Sequence, residues 1–339
     1  MIRVFLLIFF LALHSVNAHE ALKDIVAKTQ SKRVTMGTSI QYDALLKDAG
    51  YRELVIKNYD SITPEYYLKW NAIEQKKGAF DFFPLAKILN FAKENNLKVR
   101  GHTLFWHRSI PSWIRNEREL EKFLFRYISR LVRFVKSQYP EKIQYWDVAN
   151  EIFENNGLSR VFKGAKLINL VEKTFRMVNQ LAPKDSLFYN EFGLENNEKK
   201  FDAVYHFLKK SINTKIPIHG IGLQFHLTTD RKYDWPVIEG RVKMLEELGL
   251  EVHITELDVK DTTGDLNTAK ALYSQAISLC LKISRCTQIT TWGATVKYSW
   301  LNDKARLPYS SNYLPNEIFE SISNEFYKAH LRQNQKIAP

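Results

Sequence analysis

Eight short segments rich in β-branched and aromatic residues, each followed by a stretch with apolar residues at three- and four-residue spacing, succeed one another along this chain. The strand-like segments are 34–38, 61–63, 99–106, 144–150, 186–192, 220–226, 251–259 and 289–296. Helical patterns occupy 51–58, 84–95, 117–137, 165–181, 198–211, 236–248, 268–283 and 316–333. Unbroken β-then-α alternation repeated eight times predicts an α/β chain folded as a single-domain (β/α)8 TIM barrel. A length of 339 residues suits one such barrel. Pro84 fits the first turn of its helix and Gly249 the position just after another. A doubly wound open sheet is the competing architecture, but no glycine-rich phosphate loop follows the first strand.

Residues 1–18 are set apart from the fold. Arg3 leads into an apolar run over 4–13, and Val16-Asn17-Ala18 has the residue types of a signal-peptide cleavage site. The run is shorter than the ~20 residues that a bilayer demands, so stable membrane insertion is not expected. The barrel is assigned to 19–339, with the mature chain expected to start near His19 and to reside in the periplasm or outside the cell. Export makes a disulfide between Cys280 and Cys286 plausible, and these are the only two cysteines. Two free buried thiols are the alternative. A formal charge of +12 comes from lysines scattered along the helices, without a basic stripe carrying interleaved aromatics. Nucleic acid is therefore not expected as a partner, although attraction to anionic polymers stays open.

In a barrel of this type, chemistry sits where the strands end. Polar and aromatic residues crowd those positions: His102, Trp106 and His107 on the third strand, Asn150 and Glu151 on the fourth, Gln224 and His226 on the sixth. Glu256 and Asp258 follow on the seventh and Trp292 on the eighth, with Trp300 in the loop beyond. So many polar groups on one rim are hard to explain as packing, because a buried polar side chain is costly unless paired. Glu151 and Glu256 have the pattern that glycoside hydrolysis with retention requires. One carboxyl protonates the leaving oxygen while the other attacks the sugar carbon from the opposite face.

Six runs also carry a resemblance. They are Asp60 to Glu65, Gly101 to His107, Trp146 to Glu151, Gly220 to His226, Ile254 to Asp258, and Thr291-Trp292-Gly293. In order and spacing they resemble glycoside hydrolase family 10, the endo-β-1,4-xylanases, over nearly all of the mature chain. The resemblance implies a retaining mechanism with Glu151 as acid/base and Glu256 as nucleophile. It places Asn150 at the sugar 2-hydroxyl and has Gln224, His226 and Asp258 orient the carboxylates, with His226 keeping Glu256 charged. By the same resemblance Glu65, Lys69, His102 and Trp106 line the non-reducing side of the cleft, and Trp292 and Trp300 roof the sugars there.

The chain departs from the family pattern at Tyr66, where an asparagine usually grips the second sugar, and at Tyr67 beside it. Phe192 stands where a tyrosine is usual. Altered specificity is expected from Tyr66 and Tyr67. Xylan hydrolysis by a monomer leads, with an oligosaccharide or polysaccharide as partner, no cofactor and no metal. Another β-linked glycan, or a carbohydrate-binding protein that has lost turnover, are the alternatives.

Overall fold

The computed structural model describes residues 19–28, 34–157 and 165–337. The leader assigned to residues 1–18 lies outside the described residues.

A short helix α1 (Leu22–Ala27) precedes β1 (Thr35–Ile40), which is followed by α2 (Tyr42–Lys47) and α3 (Ala49–Asn58). Next come β2 (Ser61–Pro64), the one-turn α4 (Trp70–Ile73), α5 (Phe83–Glu94), β3 (Lys98–Gly101) and the two-residue β4 (Phe105–Trp106). The long α6 (Glu117–Gln138) leads to β5 (Ile143–Asn150), α7 (Ala165–Leu181), β6 (Ser186–Glu191) and α8 (Glu198–Asn213). The chain continues through β7 (Gly220–Leu223), β8 (His226–Thr228), α9 (Trp235–Glu247), β9 (Glu251–Lys260) and α10 (Leu266–Lys282). It ends with β10 (Cys286–Thr291), β11 (Ala305–Arg306) and α11 (Glu317–Ile337).

Parallel pairing runs β1–β2–β3–β5–β6–β7–β9–β10, and β10 returns to β1, so the sheet closes as an eight-stranded (β/α)8 barrel. Two of the expected strands are each split. The third breaks after Gly101, passes through a cis peptide between His102 and Thr103, and resumes as β4, which pairs β5 as β3 does. The sixth breaks at Gln224 and at Phe225, whose φ is +57°, and resumes as β8 against β9. In both cases the break turns polar side chains at the rim out of strict alternation. The eighth strand stops at Thr291, five residues before its expected end, because the left-handed Gly293 (φ +119°) turns the chain away.

Local signals explain the helix ends. The Asn197 side chain caps α8 by accepting from Lys200 N at 3.0 Å. Asp234 does the same for α9, where Pro236 occupies the first turn, and Asp265 for α10. Gly249 has φ +84° just beyond α9, as its C-terminal position favours. One continuous apolar core lies between strands and helices. Cys280 in α10 and Cys286 at the head of β10 form a disulfide with Cα atoms 5.3 Å apart. Among the described residues no helix is long and apolar enough to cross a membrane.

Inside the barrel the packing is polar. Arg100, 1% exposed, donates through Nε and Nη2 to the two oxygens of Asp147 at 2.9 and 2.6 Å. Its Nη1 lies 2.8 Å from His253 Nδ1, and the other ring nitrogen of His253 lies 3.0 Å from Glu251 Oε1. Asp147 also meets His102 Nδ1 at 3.0 Å, so the column reaches the C-terminal rim. Burial alone would push the Asp147 carboxyl up, but Arg100 and His102 outweigh it and hold the group down at about 2.

A folded-state pKa below the unfolded one gives stability that is complete above the ordinary aspartate value and disappears as pH falls toward 2. For Asp147 this amounts to about 2 kcal/mol. Resistance of the native protein to urea unfolding should therefore weaken between about pH 5 and 2. Asp147→Asn, which strands a buried guanidinium, should be destabilised by roughly 3–5 kcal/mol at pH 7 and lose less on acidification. A variant as stable as the parent at pH 7 would show that the Arg100 pair contributes little.

Candidate active site

Glu151 and Glu256 stand at the C-terminal rim on two strands, β5 and β9, that are not neighbours in the sheet. Glu151 follows the last residue of β5 with φ +52°, a left-handed backbone that a non-glycine residue keeps only when its surroundings enforce it. Its carboxylate accepts from Trp106 Nε1 at 3.0 Å and from Gln224 Nε2 at 3.1 Å. Both donors are neutral.

Glu256 has different company. It is 5% exposed and accepts from Asn190 Nδ2 at 2.7 Å on one oxygen. Its other oxygen lies 3.2 Å from His226 Nε2, and His102 Nδ1 lies 4.0 Å from the first. Burial pushes its carboxyl up, but His102, His226 and Lys69 together hold it below the usual glutamate range. His226 is itself pressed down by burial and raised well above the ordinary histidine range by Asp258, 2.8 Å from its Nδ1, and by Glu256. The imidazolium therefore donates to a carboxylate on either side. Asp258 takes a further hydrogen bond from Trp300 Nε1 at 2.7 Å, which ties the loop beyond β10 to the same network.

Asn190, on β6, joins the two halves. Its amide nitrogen donates to Glu256 and also to Asn150 Oδ1 at 2.8 Å, and its amide oxygen accepts from Thr255 Oγ1 at 2.7 Å. Asn150 Oδ1 additionally receives Gln224 Nε2 at 3.3 Å. A continuous path therefore runs from Glu151 through Gln224, Asn150 and Asn190 to Glu256. The neighbouring strand leaves room for it only because residue 222 is glycine, since a Cβ there would lie 2.1 Å from Asn190 Oδ1. Sequence reasoning did not single out Asn190. The available signal was its register, with Asn190 paired to Asn150 across the β5–β6 ladder.

The remaining candidates divide by exposure. Lys69 is 9% exposed, its ammonium 4.5 Å from the Trp106 ring centroid, and burial lowers its pKa against the pull of Glu256, Glu65 and Glu151. Glu65 accepts from Ser39 Oγ at 2.8 Å and is raised by burial, with Lys69 opposing. His102 meets Trp292 edge to face at 5.4 Å, and His226 stands 5.4 Å from Trp300. Trp292 is buried, whereas Trp300 is 54% exposed and presents a ring to solvent. Tyr66 and Tyr67 form a row of rings with Tyr42, with centroid spacings of 5.2 and 4.6 Å, and Tyr66 is exposed. Among the described residues no group of three or more His, Cys, Asp or Glu is arranged to hold a metal ion.

Two rim carboxylates, one met by neutral donors and the other by the His226 imidazolium as well as an amide, have the asymmetry that acid and nucleophile need. The chain is 30% identical over 317 residues to a β-1,4-xylanase of Dictyoglomus thermophilum, covering 85% of this chain and 87% of that protein. It is 30% identical over 320 residues to endo-1,4-β-xylanase B of Neocallimastix patriciarum, covering 91% of this chain but spanning only 36% of that longer protein. The crystal structure of xylanase 10B from Thermotoga petrophila RKU-1 in complex with xylobiose matches with a TM-score of 0.81 at 28% identity, covering 91% of this chain and 98% of that one. Residues 22–325 match the family described as Glycosyl hydrolase family 10. With that match over most of its length, the chain belongs to glycosyl hydrolase family 10.

Proposed function

We propose that this protein is an endo-1,4-β-xylanase that cleaves β-1,4-xylan by double displacement. The observation that carries the reading is the contrast between the two rim glutamates, and the xylanases to which the chain is similar support it. Glu151 gives its proton to the glycosidic oxygen as the bond to the leaving sugar breaks. Glu256 attacks the anomeric carbon from the other face and forms a covalent glycosyl ester. Glu151 then takes a proton from water, whose oxygen displaces Glu256 and restores the original anomeric configuration.

The surrounding groups take matching roles. Gln224 and Trp106 aim the Glu151 carboxyl, and His226 with Asp258 keeps Glu256 ionised. Asn150 is held with its amide oxygen turned toward Asn190 and Gln224, which leaves its amide nitrogen for a sugar hydroxyl. Lys69, Glu65 and His102 bind the sugar on the non-reducing side, and Trp292 together with the exposed ring of Trp300 roofs it. The leader at residues 1–18 directs export, a reading that the Cys280–Cys286 disulfide supports. Sequencing the N-terminus of the exported protein should begin at His19, and a start at Met1 would refute cleavage.

Incubation with β-1,4-xylan should release reducing ends, with the β-anomer appearing first by NMR. Glu256→Ala should abolish release, and Glu151→Ala should lower it by about 10²–10⁴-fold. Folded protein that frees no sugar from xylan, or an α-anomer as first product, would overturn the proposal.

The pH profile follows from the charge on Glu256. Because its carboxyl is held below the usual value, the acid limb of kcat/KM should lie below the ordinary glutamate range. His226→Asn keeps a donor but removes the positive charge, so that limb should move up in pH. An unmoved limb would mean that His226 does not set the charge state.

A further inference from the structure

Immediately after β5 the chain makes the left-handed turn at Glu151, and three consecutive backbone N–H groups there find partners on one neighbouring strand. Glu151 N donates to Asn190 O at 3.0 Å, Ile152 N to the Tyr189 hydroxyl at 3.3 Å, and Phe153 N to Glu191 Oε2 at 3.3 Å. The Tyr189 hydroxyl in turn donates to that same Glu191 oxygen. The other oxygen of Glu191 meets Lys200 Nζ at 2.7 Å and accepts from Phe192 N at 3.1 Å. Lys200 comes from α8, and its ammonium lies 3.3 Å from the centre of the Phe192 ring. Tyr189, Glu191 and Lys200 are all fully buried.

A fully buried ion pair is a poor source of stability, because desolvation offsets most of the attraction. The hydrogen bonds described for Glu191 and Tyr189 do not go to side chains that face the sugar in the proposed mechanism. They converge instead on the backbone that follows Glu151, where a strained φ has to be maintained. Tyr189 and Glu191 reach Ile152 and Phe153 with Glu151 in its left-handed conformation.

We propose that the buried Tyr189–Glu191–Lys200 cluster is a positioning clamp for Glu151, holding the turn at 151–153 so that the carboxyl meets the leaving oxygen. The inference rests on the reading of Glu151 as acid/base. A displacement of about 1 Å is enough to weaken proton delivery by up to two orders of magnitude. Substrates that need no proton on departure should not register it.

The test compares phenyl and 2,4-dinitrophenyl β-xylobiosides with Tyr189→Phe, which removes one hydroxyl. A second variant, Glu191→Gln combined with Lys200→Met, removes both charges together so that no lone buried charge remains. For both variants kcat/KM on the phenyl glycoside should fall about 10–100-fold, while the dinitrophenyl glycoside, whose leaving group departs without a proton, should stay within about twofold. Crystal structures of the variants should show Glu151 released from positive φ or its carboxyl displaced. Equal losses on both glycosides, or Glu151 unmoved in both variant structures, would overturn the clamp. If the wild-type protein turns over neither glycoside, the proposed activity fails by itself, and the position of Glu151 in the variant structures still decides the inference.

Discussion

Barrel closure rests on the ladder between β10 and β1, which joins Thr35–Thr38 to Gln288–Thr291 and so links residues near opposite ends of the chain. With it each of the eight barrel strands has two neighbours. Closure also fixes the circumference on which the rim side chains stand. Glu151 and Glu256 are far apart in sequence and lie on strands separated by β6 and β7. They converge because the sheet curves through those two strands, and β6 contributes the asparagine that touches both sides.

Polar groups in a barrel interior need a complete set of partners, and here the set doubles as the electrical surroundings of the rim. The column Glu251–His253–Arg100–Asp147–His102 runs from the floor upward with the Arg100–Asp147 ion pair inside it and ends beside Glu256. From the other side come His226 and Asp258, again a cation and an anion in contact. Glu256 is thus buried, yet enough positive charge lies near to keep it ionised. Glu151 is served by an indole and an amide. Two residues of one type are differentiated wholly by what packs against them.

Much of this was legible in the sequence because it was periodic or local. Strand-then-helix alternation predicts a barrel, and a barrel predicts that residues at strand ends share a rim, so Glu151, Gln224, His226, Glu256 and Asp258 are expected together on one rim from the sequence alone. Asn190 escaped because an asparagine one residue before the end of a strand has no local signature, and its importance comes from the register that sets it opposite Asn150. The breaks in the third and sixth strands escaped for a related reason. Residues 99–106 and 220–226 have continuous strand composition, and only tertiary packing shows that Thr103 and Phe225 leave the ladder. Helices α1, α2 and α4 are each six residues or fewer, too short for a helical period to stand out.

The covalent staple at the head of β10 illustrates how such a barrel separates its duties. Cys286 opens the strand and Thr291 closes it toward the sugar-facing side, five residues or roughly 17 Å later. The sulfur bridge therefore fastens the end of the barrel remote from bond cleavage. Loss of the bridge in a reducing medium acts on how long the molecule endures, while the pace of each catalytic cycle is set at the opposite pole.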